Sequence, residues 1–206
     1  MIDSEKNLVA KTTGLGSTTN PFSTRYTRPG SLAFRFADGS SLEQLVARLN
    51  QQGGWGQIIG PHGSGKSTLL ATLCDSLKSQ WRVARFSLVS QQRRLPANWQ
   101  PMLHQRDVDL VVVDGMEQLG MWSRKRLIQH CRRQGTGLLV TTHRKLGLPV
   151  LYQVQPSLKV TQEIVRELLV GQGDKCPSQA DVCQLYQRLG PNVRELLFAL
   201  YDWYET

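Results

Sequence analysis

The chain has 206 residues, 40% of them apolar, which suits one α/β domain with a small appendage and is too short for two full domains. Its formal net charge of +9 favours acidic partners such as nucleotides, nucleic acid or anionic surfaces. No apolar run reaches the length of a membrane span, and no signal-peptide layout or C-x-x-C pair occurs, which excludes membrane-spanning, disulfide-rich secreted and zinc-binding classes. We therefore predict a soluble, cytoplasmic protein whose cysteines are reduced core thiols: Cys74, Cys131, Cys176 and Cys183.

The first part of the chain combines a polar opening with an aromatic segment. Residues 1–20 are rich in Ser, Thr, Gly and Asn and show little apolar periodicity, so we predict a flexible N-terminal segment. In residues 20–36, aromatic rings alternate with arginines, which indicates an extended strap across the domain; the rings are Phe22, Tyr26, Phe34 and Phe36. One of these rings is a candidate wall for a purine pocket, and ordinary core packing is the alternative.

A capped helix and a short strand follow the strap. Ser40-x-x-Glu43 is a capping box ahead of leucines at helical spacing, and Gly53-Gly54 ends this helix. Residues 55–59 then form an apolar run of strand type.

The next segment, GPHGSGKS at residues 60–67, fits the phosphate-loop pattern G-x-x-x-x-G-K-[ST] at every fixed position, between a strand and a helical segment. Its glycines let backbone N–H groups turn inward around a polyphosphate. Lys66 would reach the β- and γ-phosphates, and the Ser67 hydroxyl would hold magnesium. An unrelated glycine-rich turn is the alternative. The predicted nucleotide-binding residues here are Gly60, Pro61, His62, Gly63, Ser64, Gly65, Lys66, Ser67 and Thr68.

Apolar segments after the loop alternate between strand and helix. Strands are predicted at residues 82–89, 110–113, 138–140 and 150–152, and a basic helix around Leu127 is closed by Gly135. From residue 161 onward the pattern is wholly helical, with three helices. The predicted fold is a three-layer α/β P-loop NTPase with a parallel sheet, residues 21–160, followed by a small C-terminal helical lid, residues 161–206.

The basic helix carries a local concentration of charge. Five Lys and Arg residues lie between Arg124 and Arg133. Such a density fits the backbone of a nucleic acid, and a solvated helix face is the alternative.

Two of the predicted strands end in polar residues. The strand at residues 110–113 ends in Asp114, where a P-loop NTPase places its magnesium-holding aspartate; a turn-favouring Asp is the alternative. The strand at residues 138–140 ends in Thr141, Thr142 and His143. The sequence therefore predicts a magnesium site at Ser67 and Asp114.

Together these motifs resemble the ASCE branch of the P-loop NTPases. The lid segment GPNVREL, residues 190–196, is similar to the GNVREL segment of AAA+ ATPases, particularly bacterial transcription-activator ATPases, with Pro191 as an insertion. The resemblance implies that Arg194 reaches the γ-phosphate and that Thr142 or His143 senses it. His143 also resembles the switch histidine of ABC ATPases, although no LSGGQ-like signature occurs. Ordinary strand-end polarity is the alternative.

The chain departs from this family pattern at two places. A glutamate usually follows the strand-end aspartate directly, but here the next residue is Gly115. Glu117 is then the candidate for orienting the attacking water, and a surface or capping role is the alternative. Residues 144–149 leave no room for the helix that usually ends in the intersubunit arginine finger, so the oligomeric state and any substitute such as Arg144 stay open.

The leading functional hypothesis is an AAA+-like ATPase switch that binds ATP and magnesium, hydrolyses ATP slowly and acts on a protein or nucleic-acid partner. ATP is preferred over GTP because no N-K-x-D motif occurs. One alternative is a P-loop kinase that phosphorylates a small molecule. Another is a nucleotide-gated adaptor that binds ATP without turning it over, for which Gly115 is the best support.

Overall fold

The structure is a computed structural model that describes residues 19–105, 107–172 and 176–206. Its strands are β1 Trp55–Ile59, β2 Val83–Ser87, β3 Leu110–Asp114, β4 Gly137–Thr142 and β5 Val150–Gln153. Its helices are α1 Thr24–Thr27, α2 Leu42–Gln51, α3 Lys66–Leu77, α4 Trp99–Gln105, α5 Met121–Gln134, α6 Leu158–Leu168, α7 Gln179–Leu189 and α8 Val193–Glu205. None of these helices combines the length and apolarity needed to cross a membrane. The predicted flexible segment lies outside the described residues except for positions 19 and 20.

The strands form one parallel sheet in the order β2-β3-β4-β1-β5, and every predicted strand is present. β3 and β4 lie inside the sheet and are apolar on both faces, because helices cover both sides. Parallel pairing sets Val113 beside Val140 and Ile59 beside Thr142, so the carboxyl ends of β3, β4 and β1 meet at one edge. Ligands of open α/β sheets bind at this edge.

The helices bury two separate apolar clusters against the sheet. α2 and α3 pack on one face, with fully buried Leu49 and Leu69. α4 and α5 pack on the other face, with Leu103 and Leu127. Because α3 begins directly after the loop that follows β1, its packing fixes the direction in which that helix starts.

Two local predictions needed correction. The N-cap of α2 is Ser41 rather than Ser40: the Ser41 hydroxyl accepts from the Gln44 N–H at 3.3 Å, and the Gln44 side chain accepts from the Ser41 N–H at 3.1 Å. Two overlapping capping patterns differ by one residue here, and the structure uses the second. Helix α4 was not predicted. It carries Pro101 in its first turn, where a missing N–H removes no intrahelical bond.

The strap is not extended throughout, because α1 interrupts it with one helical turn. Phe22 is 1% exposed and lies in the cluster of the C-terminal helices. Phe34 and Phe36 pack instead against the sheet cluster, in edge-to-face contact with each other and with Tyr152. The strap therefore crosses from the sheet core to the C-terminal helices.

A buried amide supports the connection between β4 and β5. Gln57 in β1 is 1% exposed; its side-chain N–H donates to the Leu148 carbonyl, and its side-chain oxygen accepts from the Leu146 N–H at 2.9 Å. These bonds hold the short loop 143–149 against the sheet in place of a longer helical connection.

Helices α6, α7 and α8, which we refer to as the lid, have an apolar cluster of their own. The first of them begins at Leu158, three residues before the predicted start. Asn20 in the strap donates to the Tyr201 carbonyl at 3.0 Å and to the Glu205 carboxylate at 2.7 Å, which ties the strap to α8.

The cysteines divide between these two parts. Cys74 and Cys131 are buried in the sheet core, as predicted. Cys176 is exposed and Cys183 is half-buried, so the prediction of core thiols is wrong for these two. Cys176 lies three residues before the first residue of α7, and Cys183 lies on α7 itself, outside the sheet core.

Candidate functional site

The phosphate loop has the backbone conformation of an anion cradle. Gly63 and Gly65 have φ values of +67° and +95°, a region that side chains with a Cβ rarely adopt. Gly65 is the N-cap of α3 and supplies no side-chain acceptor, so within the described chain the first N–H groups of the helix have no capping side chain. These N–H groups and the positive end of the helix dipole point at the loop interior.

Lys66 is held at the centre of the loop. Its ammonium donates to the Gly60 carbonyl at 2.8 Å, to the Pro61 carbonyl at 2.6 Å and to the Nδ1 atom of His143 at 3.3 Å. Burial lowers the pKa of Lys66 to about 8, against the opposing attraction of Glu117 and Asp114. An entering phosphate would supply the charge that the carbonyl oxygens match only in part.

Asp114 lies beside Ser67, and the magnesium site at these two residues stays a prediction. The Ser67 hydroxyl donates to Asp114 Oδ1 at 3.0 Å. Two residues that the sequence did not single out also contact this carboxylate: Thr141 donates to Oδ1 at 2.7 Å, and the Arg85 guanidinium lies 3.6 Å from Oδ2. Strand pairing explains both, because Arg85 and Thr141 come from the strands on either side of β3.

Gly115 has φ +87°, and a Cβ at this position would lie 3.3 Å from the Leu88 carbonyl oxygen. A glutamate at this place would be strained in the backbone conformation that the chain has here. Glu117, in a short 3-10 turn, faces the site instead: its Oε1 lies 2.8 Å from His143 Nε2. Its Oε2 is buried and has no hydrogen-bond partner among the described residues.

The two sensor candidates at the end of β4 point in different directions. His143 contacts Lys66, Glu117 and the Gly60 carbonyl, and the His62 ring of the phosphate loop lies against it at 3.6 Å between ring centroids. Thr142 is fully buried, and its hydroxyl donates to the Arg144 carbonyl at 2.9 Å. Alternation along the strand places Thr141 and His143 on the site face and turns Thr142 away from it.

The lid meets the phosphate loop at the start of α8. Asn192 caps this helix by accepting from the Glu195 N–H at 3.3 Å, and the Arg194 N–H donates to the Gly63 carbonyl at 3.3 Å. A Cβ on Gly63 would lie 1.7 Å from the Asn192 side-chain oxygen. The Arg194 side chain lines the pocket beside the loop and has no hydrogen-bond or ion-pair partner in the described parts of the chain.

A pocket of about 470 Å³ extends from the phosphate loop between the sheet core and the lid. The strap supplies Phe34 to its wall, and the lid supplies Ile164 and Phe198. Phe34 thus both packs on the sheet cluster and lines the pocket, while Phe22 and Phe36 do not line it. A flat apolar wall of this kind suits a purine base.

The residues present fit ATP and magnesium. Glycines 63 and 65 adopt the conformations that a phosphate cradle needs, and α3 begins without a capping side chain in the described chain. The Ser67 hydroxyl and the Asp114 carboxylate are oxygen donors 3.0 Å apart, the ligand chemistry that magnesium prefers. Thr68 and Ser64 also line the pocket, and the Ser64 hydroxyl is buried with no partner among the described residues.

The predicted basic segment lies on α5. At 100° per residue, four of its five basic residues share one exposed face with Trp122, and Arg124 points elsewhere. We refer to this face as the basic stripe; it consists of Trp122, Lys125, Arg126, Arg132 and Arg133. Trp122 is 78% exposed, with the Lys125 ammonium 5.6 Å from its ring centroid. The opposite face carries buried Leu127 and Cys131.

No protein-family model matches the sequence, and a search of curated proteins finds no relative. Among solved structures, the chain is similar to AMPPCP-bound DnaA from Aquifex aeolicus, at 18% identity over 79% of this chain and 61% of that one, with a TM-score of 0.51. It is also similar to Cdc6p from Pyrobaculum aerophilum, at 15% identity over 88% of this chain and 63% of that one, with a TM-score of 0.58. The chain therefore spans less than two thirds of either structure. These likenesses confirm the predicted fold.

Proposed function

Because the chain has the fold of the AAA+ group of P-loop NTPases, we propose that it is a cytoplasmic ATP-dependent switch. In this proposal the phosphate loop holds the triphosphate, and Ser67 and Asp114 hold magnesium. Bound magnesium would neutralise the charge that develops between the β- and γ-phosphates. Arg194 contacts the γ-phosphate from the lid, so the lid is held closed while that phosphate is present and is released after slow hydrolysis.

The observation that carries this proposal is the contact between the lid and the phosphate loop. Asn192 and Arg194 touch Gly63, and Arg194 lines the pocket, with no hydrogen-bond or ion-pair partner for its side chain in the described residues. A ligand that fills the loop therefore meets a charge supplied by the lid. The difference between triphosphate and diphosphate is then converted into a difference in lid position.

The experiment is ATP binding and turnover by the wild type beside Lys66→Ala, with Lys78→Ala as the matched control. Lys78 follows the same helix, is exposed and pairs with Asp75 outside the site. We expect Lys66→Ala to weaken ATP binding about a hundredfold, since it removes charge-assisted bonds worth ~3 kcal/mol. Lys78→Ala should bind and turn over ATP as the wild type does. Equal ATP affinity in all three proteins would refute the proposal.

The same samples distinguish ATP hydrolysis from ATP binding without turnover. Glu117 lies in the site, which favours hydrolysis, whereas the glycine after Asp114 favours an adaptor that only binds ATP. Tight binding with no phosphate release, alone or with partners, would establish the adaptor. The kinase alternative calls for acceptor-binding residues between β2 and β3. The candidates there, Arg93 and Arg94, lie in an exposed loop and neither lines the pocket.

For the partner, we propose a nucleic-acid strand lying along the basic stripe. An exposed tryptophan beside basic residues is suited to stacking a base while Lys and Arg contact phosphates. With a fluorescent single-stranded oligonucleotide, Lys125→Glu with Arg133→Glu should reduce the slope of log affinity against log salt by about 1 to 2. Trp122→Ala should weaken binding by ~1–3 kcal/mol and leave that slope unchanged.

The control for this experiment is Arg188→Glu, a charge reversal on exposed lid helix α7. It changes the net charge by as much as either stripe reversal but lies outside the stripe. Equal effects of Arg188→Glu and of Lys125→Glu alone on oligonucleotide binding would mean that only net charge matters. No binding at low salt would exclude nucleic acid and leave a protein partner.

A further inference from the structure

We infer that His143 is a positioning residue that fixes Glu117 for catalysis, rather than a sensor of the γ-phosphate. This inference rests on the proposed ATPase activity. It assigns to a histidine and a displaced glutamate the task that the missing glutamate after Asp114 would otherwise perform. The contacts on both sides of the imidazole ring carry it.

All the hydrogen-bond donors of Lys66 have partners. Its ammonium has three N–H donors and no acceptor, and it has three partners: the Gly60 carbonyl, the Pro61 carbonyl and His143 Nδ1. Nδ1 must therefore accept, which requires its lone pair to face Lys66. The Gly60 oxygen also lies 3.1 Å from Nδ1 and has a second lone pair, but a neutral ring that donated from Nδ1 would turn the lone pair of Nε2 toward the Glu117 carboxylate, 2.8 Å away.

The lone pair on Nδ1 fixes the role of the other ring nitrogen. A neutral imidazole with a lone pair on Nδ1 carries its proton on Nε2. Nε2 lies 2.8 Å from Glu117 Oε1, so this N–H donates to the carboxylate. Burial and the charge of Lys66 both lower the pKa of His143, which agrees with a neutral ring.

The second oxygen of the Glu117 carboxylate is free to bind water. Oε2 of Glu117 is buried and has no partner in the described residues, so one oxygen is fixed and the other is available. A carboxylate in this state can accept a hydrogen bond from a water molecule and orient it. In hydrolysis that water attacks the γ-phosphorus, the bond to the bridging oxygen of ADP breaks, and the proton passes to Glu117 Oε2.

The ring itself is held in place by two neighbours. His62 stacks against it, and Lys66 is anchored by the loop carbonyls. The imidazole therefore forms a bridge of fixed length between the lysine that binds phosphate and the glutamate that binds water. Alignment of this kind matters because a displacement of about 1 Å can cost a hundredfold in rate.

The test measures ATP affinity and kcat on the full chain for the wild type, His143→Ala, Glu117→Gln and the double variant. We expect His143→Ala to lower kcat about tenfold to a hundredfold without changing ATP affinity. Glu117→Gln should lower kcat about a hundredfold or more, and the double variant should be no slower than Glu117→Gln alone. His143→Gln should recover much of the activity, since its amide N–H can donate to Glu117. His104→Ala, an exposed histidine outside the site, is the control.

Three results would overturn the inference while leaving ATP binding and turnover intact. One is a loss of ATP affinity in His143→Ala as large as the loss of kcat, which would mark a direct phosphate contact. Another is an unchanged kcat in His143→Ala. The third is a double variant slower by the product of the two single effects, which would mark independent roles.

Nitrogen NMR of His143 provides a readout that does not depend on turnover. The ATP-free wild type should show the neutral Nε2–H form, and Glu117→Gln should change the Nε2–H signal. A neutral ring protonated at Nδ1 would overturn the inference. If the wild type binds ATP but never hydrolyses it, the proposed hydrolysis fails first and the positioning role fails with it. If the wild type does not bind ATP, the proposed function itself is wrong.

Discussion

The sheet core and the lid hold the same phosphate loop from opposite sides, but they are built differently. In the core, five parallel strands form one sheet, and two apolar clusters lie on its two faces. In the lid, three helices share one small cluster, which is completed by Phe22 from the strap. From this difference in packing we expect the loop to have one rigid wall and one wall that is easier to displace.

The polar contacts follow the same division. On the core side, Asp114 is contacted by Ser67, Thr141 and Arg85, residues of three different elements. On the lid side, Asn192 and Arg194 contact the loop at Gly63. We therefore expect a ligand between the two walls to change the position of the lid more readily than that of the sheet.

The chemical reactivity of the cysteines should show the largest difference between the two parts. Burial raises the pKa of Cys131 to about 12, so in the native protein this thiol reacts only after the core opens. With iodoacetamide at pH 8, exposed Cys176 should react about five-thousandfold faster than Cys131, if core opening costs ~5 kcal/mol. Mass spectrometry of peptides over time provides the rates. In denaturant the two should react alike, and similar rates in the native protein would contradict a rigid core.

Two substitutions that each leave a cavity in an apolar cluster should then distinguish unfolding of the lid alone from unfolding of the whole chain. Leu139→Ala in β4 should lower the free energy of unfolding of the whole chain by ~2–5 kcal/mol. Phe22→Ala should cost ~3–5 kcal/mol within the lid cluster and leave the sheet folded. Hydrogen exchange distinguishes them, since Phe22→Ala should deprotect amides of α6, α7 and α8 only. Equal deprotection of the strands would show that lid and core unfold together.

Gly63→Ala tests the point where the two parts touch. The left-handed backbone costs a Cβ residue ~1–2 kcal/mol, and here the added Cβ would also collide with the Asn192 side chain. We expect ATP affinity to fall about tenfold, which corresponds to ~1.4 kcal/mol. Gly147→Ala is the matched control, because its φ is +79° and the space around its Cβ is open. Asn192→Ala should partly restore affinity to Gly63→Ala; no restoration would mean that strain alone acts.

Arg35→Ala should have the smallest effect. Arg35 in the strap lies 2.7 Å from Glu167 and 3.6 Å from Glu163, both on lid helix α6. All three side chains are partly exposed, so each pair contributes only ~0.2–1 kcal/mol and less at high salt. Exchange of the α6 amides at low and high salt measures this effect. Lys78→Ala, which removes an exposed ion pair from the sheet core, should leave those amides unchanged.

The parts of the molecule that local rules determine were predictable from the sequence. The strands are uninterrupted apolar runs, and the phosphate loop depends on glycines whose positions the motif fixes. Helix α4 was missed because it is short and contains Pro101; the spacing of Trp99 and Leu103 was the available signal. The α2 cap was displaced by one residue because two capping patterns overlap.

The site was predictable where chemistry follows a motif and less so where strand pairing decides it. Ser67 and Asp114 lie together as the motif requires. Thr141 and Arg85 contact the same carboxylate only because their strands flank β3, and no local pattern marks Arg85. Alternation along β4 would have favoured Thr141 and His143 over Thr142. The contact of Glu117 with His143 depends on a three-dimensional turn that the sequence does not reveal.

The strap has a consequence for the way the lid can move. The chain passes from core to lid at residues 154–157, and the strap passes between the same two parts at a second place, with Phe22 in the lid and Phe34 on the core. A body attached at one point can swivel in any direction, but a body attached at two points can only swing about the line that joins them. Phe34 and Pro156 both line the pocket, so this line runs along its wall. In the proposed switch, the lid would therefore swing about this line, and a swing that opens the pocket to a nucleotide would carry Arg194 away from the phosphate loop.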